Sequence, residues 1–147
     1  GALDQIIKRV EDCAAAAALA TGTSFWHHNY EPSYEPLLTN RTLAAAWCNN
    51  LKELGVADLS PSGLSMGSLD MGNVSRVIPA IHPYLSLNRG KLIPHTRKFA
   101  QVVRSEAGRR LVILAAKALA WTVADAMLDK GLLKKIKHEF ACRLNSK

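Results

Sequence analysis

Small and polar residues are concentrated in what we call the signature segment, Met66 to Tyr84, which reads MGSLDMGNVSRVIPAIHPY. Two of its glycines, Gly67 and Gly72, give the backbone access to conformations that other residues resist. Four polar side chains lie within eight consecutive positions: Ser68, Asp70, Asn73 and Ser75. A segment so rich in polar groups and so poor in periodicity suits a loop that frames a site on an α/β scaffold. Composition alone favours a simpler alternative, a turn that only connects two elements.

Apolar residues in the second half of this segment predict a short strand around Arg76: Val74, Val77 and Ile78. Pro79 and Pro83 then exclude ladder hydrogen bonds at their own nitrogens. An inward Arg76 could pair with a substrate carboxylate, because a guanidinium matches the geometry of that group. We expect Arg76 instead to face solvent as a surface charge.

Two helices are predicted upstream of the signature segment. Apolar residues recur at three- and four-residue steps from Leu3 to Ala20, and Gly22 follows where a helix should end. A second helix is predicted from Arg41 to Leu54, capped by Thr39 or Asn40.

Thr23 to Tyr30 is rich in aromatic residues and is a candidate strand. His27 and His28 are adjacent within it, so on a strand they would face opposite sides. This geometry argues against a metal ion shared by the two imidazoles.

Two more helices are predicted downstream, with Thr96 or Ser105 placed to cap the first. Gly108 to about Asp129 is apolar on most faces, so we expect it to be buried and to end at Gly131. Leu132 to Leu144 is a basic amphipathic helix, expected to pack on its own domain through three inward residues: Leu133, Ile136 and Phe140.

The charge is distributed unevenly along the 147 residues. Residues 1–88 carry five Lys/Arg and eight Asp/Glu, a net charge of −3, whereas residues 89–147 carry fourteen and four, a net charge of +10. A basic half can attract nucleic acid or anionic lipid. Here the cations are spread along helices with few aromatic residues among them, so we expect no nucleic-acid and no membrane partner.

The three cysteines, Cys13, Cys48 and Cys142, are too widely spaced for a disulfide framework or a paired thiolate metal site. Buried free thiols in a reducing compartment are the default interpretation. The apolar run Leu111 to Leu128 is interrupted by charged residues and short for a membrane span, which favours a core helix. With no secretory signal at the start of the sequence, we expect a soluble, cytoplasmic protein.

Several strings in the chain together resemble one branch of the zinc aminoacylase/carboxypeptidase family (peptidase family M-twenty). The signature segment resembles that branch's GSTDMGNVS…VPAIHPY, with Leu69 where Thr is usual. Ala18 to Gly22 resembles its Ala-x-x-Thr-Gly, and Tyr34 to Pro36 with Asn40 resembles its Tyr-x-Pro…Asn. His95-Thr96 matches its late His-Thr or His-Ser. The strings follow the family's order over nearly the whole chain, and the branch includes amidohydrolases and aminoacylase-like Xaa-Arg dipeptidases.

The resemblance implies an α/β fold class: a partial zinc-peptidase-like catalytic domain plus the end of an inserted α+β dimerisation (lid) domain. Residues 1–36 would be the helix and strand that end the inserted domain. Residues 37–147 would be the C-terminal part of the catalytic α/β domain. Since members of the family are several hundred residues long, the chain resembles a fragment, a truncated product or a divergent short relative.

The resemblance also implies hydrolysis of an amide or peptide bond in a dipeptide or N-acyl amino acid, with zinc or another divalent metal activating water. His95 matches the family's last metal ligand, and five residues match positions beside the site: Gly67, Ser68, Asp70, Gly72 and Asn73. None of them is expected to be a catalyst. The His-rich loop and the pair of adjacent glutamates that supply the family's other ligands are absent from the sequence, and one His cannot hold a catalytic zinc.

Two functional hypotheses follow from these observations. The chain is either part of a metal-dependent amidohydrolase or dipeptidase that is inactive alone, or a non-catalytic relative that acts as a dimerisation or interaction scaffold. The first implies a metal cofactor in the complete protein. The second implies a homo-oligomer or a full-length paralogue bound through Leu3 to Tyr30, with no bound metal.

Overall fold

A computed structural model of the chain describes residues 1–57, 59, 68–87 and 92–145. The chain divides into two compact units, Gly1–Ser33 and Tyr34–Lys147. The helices of the described residues are, in order, α1 (Ala2–Thr21), α2 (Arg41–Glu53), α3 (Met71–Val74), α4 (Arg97–Val103), α5 (Glu106–Leu128) and α6 (Lys130–Asn145).

The first unit consists of α1 and the irregular segment that follows it. α1 matches the predicted helix and ends at Gly22, whose φ of 67° is the left-handed conformation that glycine adopts at no steric cost. None of the residues of α1 is buried. The apolar stripe that predicted this helix therefore faces solvent within its own unit.

The backbone from Thr23 to Tyr30 is irregular rather than a paired strand. Its aromatic rings pair two residues apart: Phe25 stacks on His27 with 5.5 Å between ring centroids, and Trp26 stacks on His28 at 5.4 Å. His27 Nε2 also lies 3.0 Å from a carboxylate oxygen of Glu11 on α1. The two imidazoles thus have different partners.

The second unit is organised around the packing of α2 on α5 and α6. α2 begins where predicted, at the cap residue Asn40, whose side-chain oxygen accepts a 2.9 Å hydrogen bond from the Leu43 amide. Its apolar stripe buries Trp47 and Leu51 against Ala118 of α5. Small side chains such as Ala118 allow two helices to approach closely, which accounts for the full burial of Leu51.

Both candidate caps in the C-terminal part are used, because Thr96 caps α4 and Ser105 caps α5. The predicted break at Gly131 is wrong. The helix α5 ends at Leu128, Asp129 separates it from α6, and Gly131 lies inside the first turn of α6. The carboxylate of Asp129 accepts hydrogen bonds from the Gly131 amide at 2.8 Å and the Leu132 amide at 3.0 Å. This Asp cap starts a new helix at once, so no glycine is needed to end the preceding one.

The predicted burial of α5 is also wrong for this chain. Only Gly108, Ala118 and Thr122 are buried, whereas Val112 is 61% exposed and Met127 is 75% exposed. Among the described residues, α2, α4 and α6 pack on α5 and leave its other side uncovered. Within the described part of the chain, α5 is also the one helix whose length and hydropathy suffice to cross a membrane, a test that core helices of soluble proteins pass as well.

The short strand predicted around Arg76 is wrong as well. The backbone forms α3 and a further turn, with the Ser75 amide donating to Met71 O at 2.9 Å and the Ile78 amide donating to Val74 O at 3.1 Å. Local helical hydrogen bonds are available to these amides, whereas a strand needs a neighbour. In the described residues the sole β-type pairing is a parallel bridge between Thr39 and Ala80. The predicted α/β class refers to the sheet of a complete catalytic domain. The helices described here do not test that prediction.

Candidate functional site

The signature segment packs against residues 34–38, which we call the connector. The Glu35 amide donates a 2.7 Å hydrogen bond to Asn73 Oδ1, and the Leu38 amide donates a 2.8 Å hydrogen bond to Ser75 Oγ. Ser75 is fully buried, and its hydroxyl donates in turn to the Gly72 carbonyl oxygen at 2.6 Å. Two side chains of the signature segment thus replace the partners that a neighbouring strand would give to the connector amides.

Gly72 makes the closest approach to the connector. A Cβ atom at this position would lie 1.6 Å from the Glu35 carbonyl oxygen, far inside van der Waals contact with a backbone atom. The absence of a side chain is therefore required by packing. This buried glycine, with Asn73 and Ser75, forms the face of the turn that contacts the connector.

Arg76 also belongs to this contact, and the prediction that it is an outward surface charge is wrong. Its Nη2 donates a 3.1 Å hydrogen bond to the Pro36 carbonyl oxygen, and its Nε is buried without a hydrogen-bond partner. The helical turn places residue 76 beside the connector.

The other predicted site residues lie in different surroundings. Ser68 and Asp70 are exposed at the start of the turn, and Gly67 lies outside the described residues. His95 is exposed on the segment that leads into α4. Its φ of 62° makes it the single non-glycine residue with a positive φ among those the structure describes. A His in this conformation carries backbone strain that a glycine would avoid.

The described residues do not supply a complete set of ligands for the metal that the resemblance implies. Across residues 1–57, 59, 68–87 and 92–145, no group of three or more His, Cys, Asp or Glu side chains is placed to hold a metal ion. His95 alone supplies one ligand, whereas a zinc site needs three or four. A complete metal centre would need donors from outside this set.

A partly buried polar cluster joins the start of α2 to α6, and the sequence did not predict it. Asn40 is only 2% exposed, and its Nδ2 donates a 3.0 Å hydrogen bond to the Ile136 carbonyl oxygen. The Glu139 carboxylate accepts hydrogen bonds from the Arg41 and Thr42 amides, both at 2.7 Å. Arg143 lies 3.7 Å from Glu139 and donates to the Thr39 carbonyl oxygen.

The electrostatics of this cluster favour an ionised Glu139. Burial by itself would raise the pKa of Glu139, but hydrogen bonds from the Thr42 side chain and from the Arg41 and Thr42 amides oppose it. Together with the charge of Arg143 they hold the pKa below its ordinary value. A carboxylate here also complements the positive end of the α2 helix dipole. An Asn just before a helix is a recognisable cap, so the role of Asn40 at α2 could be predicted. No local pattern in the sequence indicates that Glu139 binds α2.

A recess of about 670 Å³ lies between α2, α5 and α6. Its walls carry both signs of charge, with Arg41 and Lys135 near Glu53, Asp125 and Asp129. Asp125 is already engaged, since Asn50 Nδ2 donates to it at 2.8 Å and to Thr122 Oγ1 at 3.1 Å. None of the predicted site residues lines this recess.

Comparison with known proteins decides the family. The chain is 37% identical over 145 residues to the Xaa-Arg dipeptidase of Mus musculus, and 34% identical over 145 residues to the Xaa-Arg dipeptidase of Homo sapiens. The chain is a homologue of the Xaa-Arg dipeptidases. Each alignment covers 97% of this chain, which confirms the resemblance to the dipeptidase branch of peptidase family M-twenty. No protein-family model matches the chain.

The chain spans about a third of the length of these two dipeptidases, 33% in each case. Their names describe an enzyme that hydrolyses dipeptides ending in arginine. The shared region contains the anchored signature segment and His95, but within its described residues it has no complete metal ligand set.

Proposed function

We propose that this chain is part of a metal-dependent dipeptidase and is inactive unless the rest of the catalytic domain is supplied. The observation that carries the proposal is the similarity to two Xaa-Arg dipeptidases over 97% of the chain. The substrate class is a dipeptide or N-acyl amino acid, and the metal, zinc or another divalent cation, activates water and polarises the scissile carbonyl. His95 contributes one imidazole ligand, and the remaining ligands come from elsewhere.

The backbone at His95 supports a functional role for this residue. A non-glycine residue at positive φ costs stability, and residues in such conformations cluster at functional sites. Among non-glycine residues, His is enriched in this conformation along with Asn and Asp, so φ 62° permits a histidine here without requiring one. A histidine there is consistent with an imidazole needed for ligation.

The uncovered side of α5 supports the proposal that the rest of a catalytic domain packs against this chain. Large apolar residues on it are exposed to solvent: Val112, Ile113, Leu119, Trp121, Val123, Met127 and Leu128. Soluble proteins rarely leave so extended an apolar surface uncovered. In a complete catalytic domain this side of α5 packs against the two thirds of the dipeptidase length that the chain does not span.

The deciding experiment isolates the native polypeptide with an antibody against residues 132–145 and measures its intact mass, metal content and activity. We expect a polypeptide of dipeptidase length with bound divalent metal that cleaves Xaa-Arg dipeptides, and a loss of activity on substitution of His95 by Ala. A native polypeptide of 147 residues that purifies alone, metal-free and inactive, would overturn the enzyme proposal.

The first unit favours a second candidate function, that of a dimerisation or interaction scaffold. The apolar stripe of α1 is exposed at Leu3, Ile6, Ile7 and Val10, and Trp26 is 76% exposed. Such a stripe fits association with a second copy of the chain or with a full-length paralogue. Sedimentation of the 147-residue chain tests this: Ile6→Lys should dissociate a dimer, whereas Gln5→Lys, the same replacement at an exposed polar position of α1, should not.

A further inference from the structure

The recess between α2, α5 and α6 has positive and negative side chains at opposite ends. Arg41 is the first residue of α2 and Glu53 is the last, so roughly 18 Å of helix rise lies between them. The helix dipole of α2 has the same direction, with its positive end at Arg41 and its negative end at Glu53. Side chains and backbone therefore give the recess the same polarity.

The charged residues from α5 and α6 follow the same division. Lys135 precedes Ile136, whose carbonyl oxygen accepts from the cap residue Asn40, so Lys135 lies near the start of α2. Asp125 lies near the end of α2, because its Oδ2 accepts the 2.8 Å hydrogen bond from Asn50; its Oδ1 is left for a ligand. The recess thus has a positive end, Arg41 and Lys135, and a negative end, Glu53 and Asp125.

The charged groups at the two ends are not neutralised by each other. None of the ion pairs formed within the described residues uses Arg41, Lys135 or Glu53. Two other carboxylates at the recess or beside it are engaged with helix starts: Asp129 with that of α6 and Glu139 with that of α2. A ligand with two opposite charges would satisfy both ends at once.

The centre of the recess suits a small molecule. Two small side chains, Ala45 and Ala46, line it between the charged ends, and Leu132 adds an apolar contact. Its volume of about 670 Å³ lies within the range of small-molecule sites, about 300–1,000 Å³. We propose that this recess binds a zwitterionic small molecule of dipeptide size, with its carboxylate at the positive end and its ammonium or guanidinium group at the negative end.

The recess lies on the side of α5 that faces away from its exposed apolar residues. At 3.6 residues per turn, Val123 and Met127 each lie about 200° around the helix from Asp125. None of the large apolar residues exposed on α5 lines the recess. Polypeptide packed on the apolar side of α5 would therefore leave the recess accessible. None of the residues implied in dipeptide hydrolysis lines it either, so failure of one proposal leaves the other intact.

Titration of the ¹⁵N-labelled 147-residue chain with three matched probes, followed by NMR, tests the proposal. Nα-acetylarginine carries both charges, Nα-acetylagmatine lacks the carboxylate, and Nα-acetylcitrulline lacks the positive charge. Nα-acetylarginine should shift amides of α2 and of residues 125–135, with a Kd on the order of 1 mM. Each of the other probes should bind about fivefold more weakly, because each loses one of the two ion pairs.

Two substitutions distinguish the ends of the recess. Arg41→Gln should weaken the two probes that carry a carboxylate and leave Nα-acetylagmatine unchanged. Glu53→Gln should weaken the two probes that carry a guanidinium group and leave Nα-acetylcitrulline unchanged. Lys52→Gln removes an exposed charge of the same helix that does not line the recess, so this matched control should weaken none of the probes.

The substituted side chains are exposed, and the amide spectrum of α2 and α5 reports whether each variant keeps its fold. Equal affinity of the wild-type chain for all three probes would overturn the proposal, because the two ends would then not act together. An absence of shifts around the recess at probe concentrations about 10-fold above the expected Kd would overturn it as well. So would a loss of binding in Lys52→Gln as large as that in Arg41→Gln.

Discussion

Asn40 and Ile136 are 96 residues apart in sequence, yet Asn40 Nδ2 donates a 3.0 Å hydrogen bond to the Ile136 carbonyl oxygen. The same side chain accepts from the Leu43 amide, and the Asn40 backbone amide donates to Ala80. One buried residue therefore caps α2, binds α6 and holds the segment that follows α3. Its side chain serves both α2 and α6, whereas its backbone amide serves the segment that follows α3.

Asn40→Ala should destabilise the chain by about 1–3 kcal/mol, because it removes a helix cap and leaves buried groups without partners. Asn40→Asp should also destabilise, because its carboxylate keeps the acceptor for the Leu43 amide but places a buried negative oxygen against the Ile136 carbonyl oxygen. Urea unfolding measures both free energies. Thr96→Ala, which removes the exposed cap of α4, is the control and should cost no more than about 1 kcal/mol. Equal losses for Asn40→Ala and Thr96→Ala would contradict the central role of Asn40.

Glu139 should make the stability of the chain depend on acidic pH. Its pKa is lowered in the folded state, so its contribution is fully present above the unfolded pKa, about 4.3. The contribution is lost as the pH falls through the lower folded value. Glu139→Gln should therefore destabilise at pH 7, and the difference from wild type should shrink below pH 4. Urea unfolding at several pH values measures it, with the exposed Glu106→Gln as control; a difference that stays constant with pH would refute the linkage.

The sequence predicted those features that local patterns determine. The extents of α1 and α2 followed from periodicity, and short polar side chains gave the candidate caps: Thr39 or Asn40 for α2, of which Asn40 is used, and Thr96 or Ser105 further on, of which both are used. Ile136 was correctly placed on the inner face of α6 for the same reason. Gly131 was misjudged because a helix can begin directly at an Asp cap, a choice that glycine content does not reveal.

Features that depend on distant partners could not be read from the sequence. The segment around Arg76, expected to be a strand, forms a helical turn instead, because its amides donate to carbonyl oxygens three or four residues back and the Arg76 side chain donates to the connector. Glu139 binds the start of α2 across a long stretch of sequence: it lies 98 positions after Arg41 and 97 positions after Thr42. The exposure of α5 likewise depends on which other helices are present, and its own apolar composition indicates only that something should cover it.

His95→Gly should leave the stability of the chain unchanged or raise it by up to about 1 kcal/mol. Glycine relieves the strain at φ 62° but increases the freedom of the unfolded chain, so the two effects partly cancel. His95→Val should destabilise, because a β-branched residue resists this conformation. Thermal unfolding of the metal-free chain measures both. A clear loss of stability in His95→Gly would show that the imidazole serves the fold rather than a ligand.

Gly72→Ala should destabilise the second unit by about 1–3 kcal/mol or prevent its folding, because the new methyl group would overlap the Glu35 carbonyl. Gly131→Ala is the matched control: its Cβ would meet only the flexible Asp129 side chain, 3.1 Å away. Inside α6, alanine also has the higher helix propensity. Circular dichroism during urea unfolding distinguishes the two variants. A tolerated Gly72→Ala would mean that the connector does not lie against this glycine in solution.

The exposed side of α5 should accept charge in this chain but not in a complete dipeptidase. Val123→Lys should change the free energy of unfolding of the 147-residue chain by no more than about 0.5 kcal/mol, because Val123 is 58% exposed. Ala118→Lys, at a fully buried position on the same helix, should unfold it. In a polypeptide of dipeptidase length, Val123→Lys should then be strongly destabilising as well, since the added charge would be buried against the rest of the catalytic domain. Urea unfolding of both lengths gives the comparison, and a Val123→Lys variant that is equally harmless in the longer polypeptide would show that this side of α5 is a free surface there too.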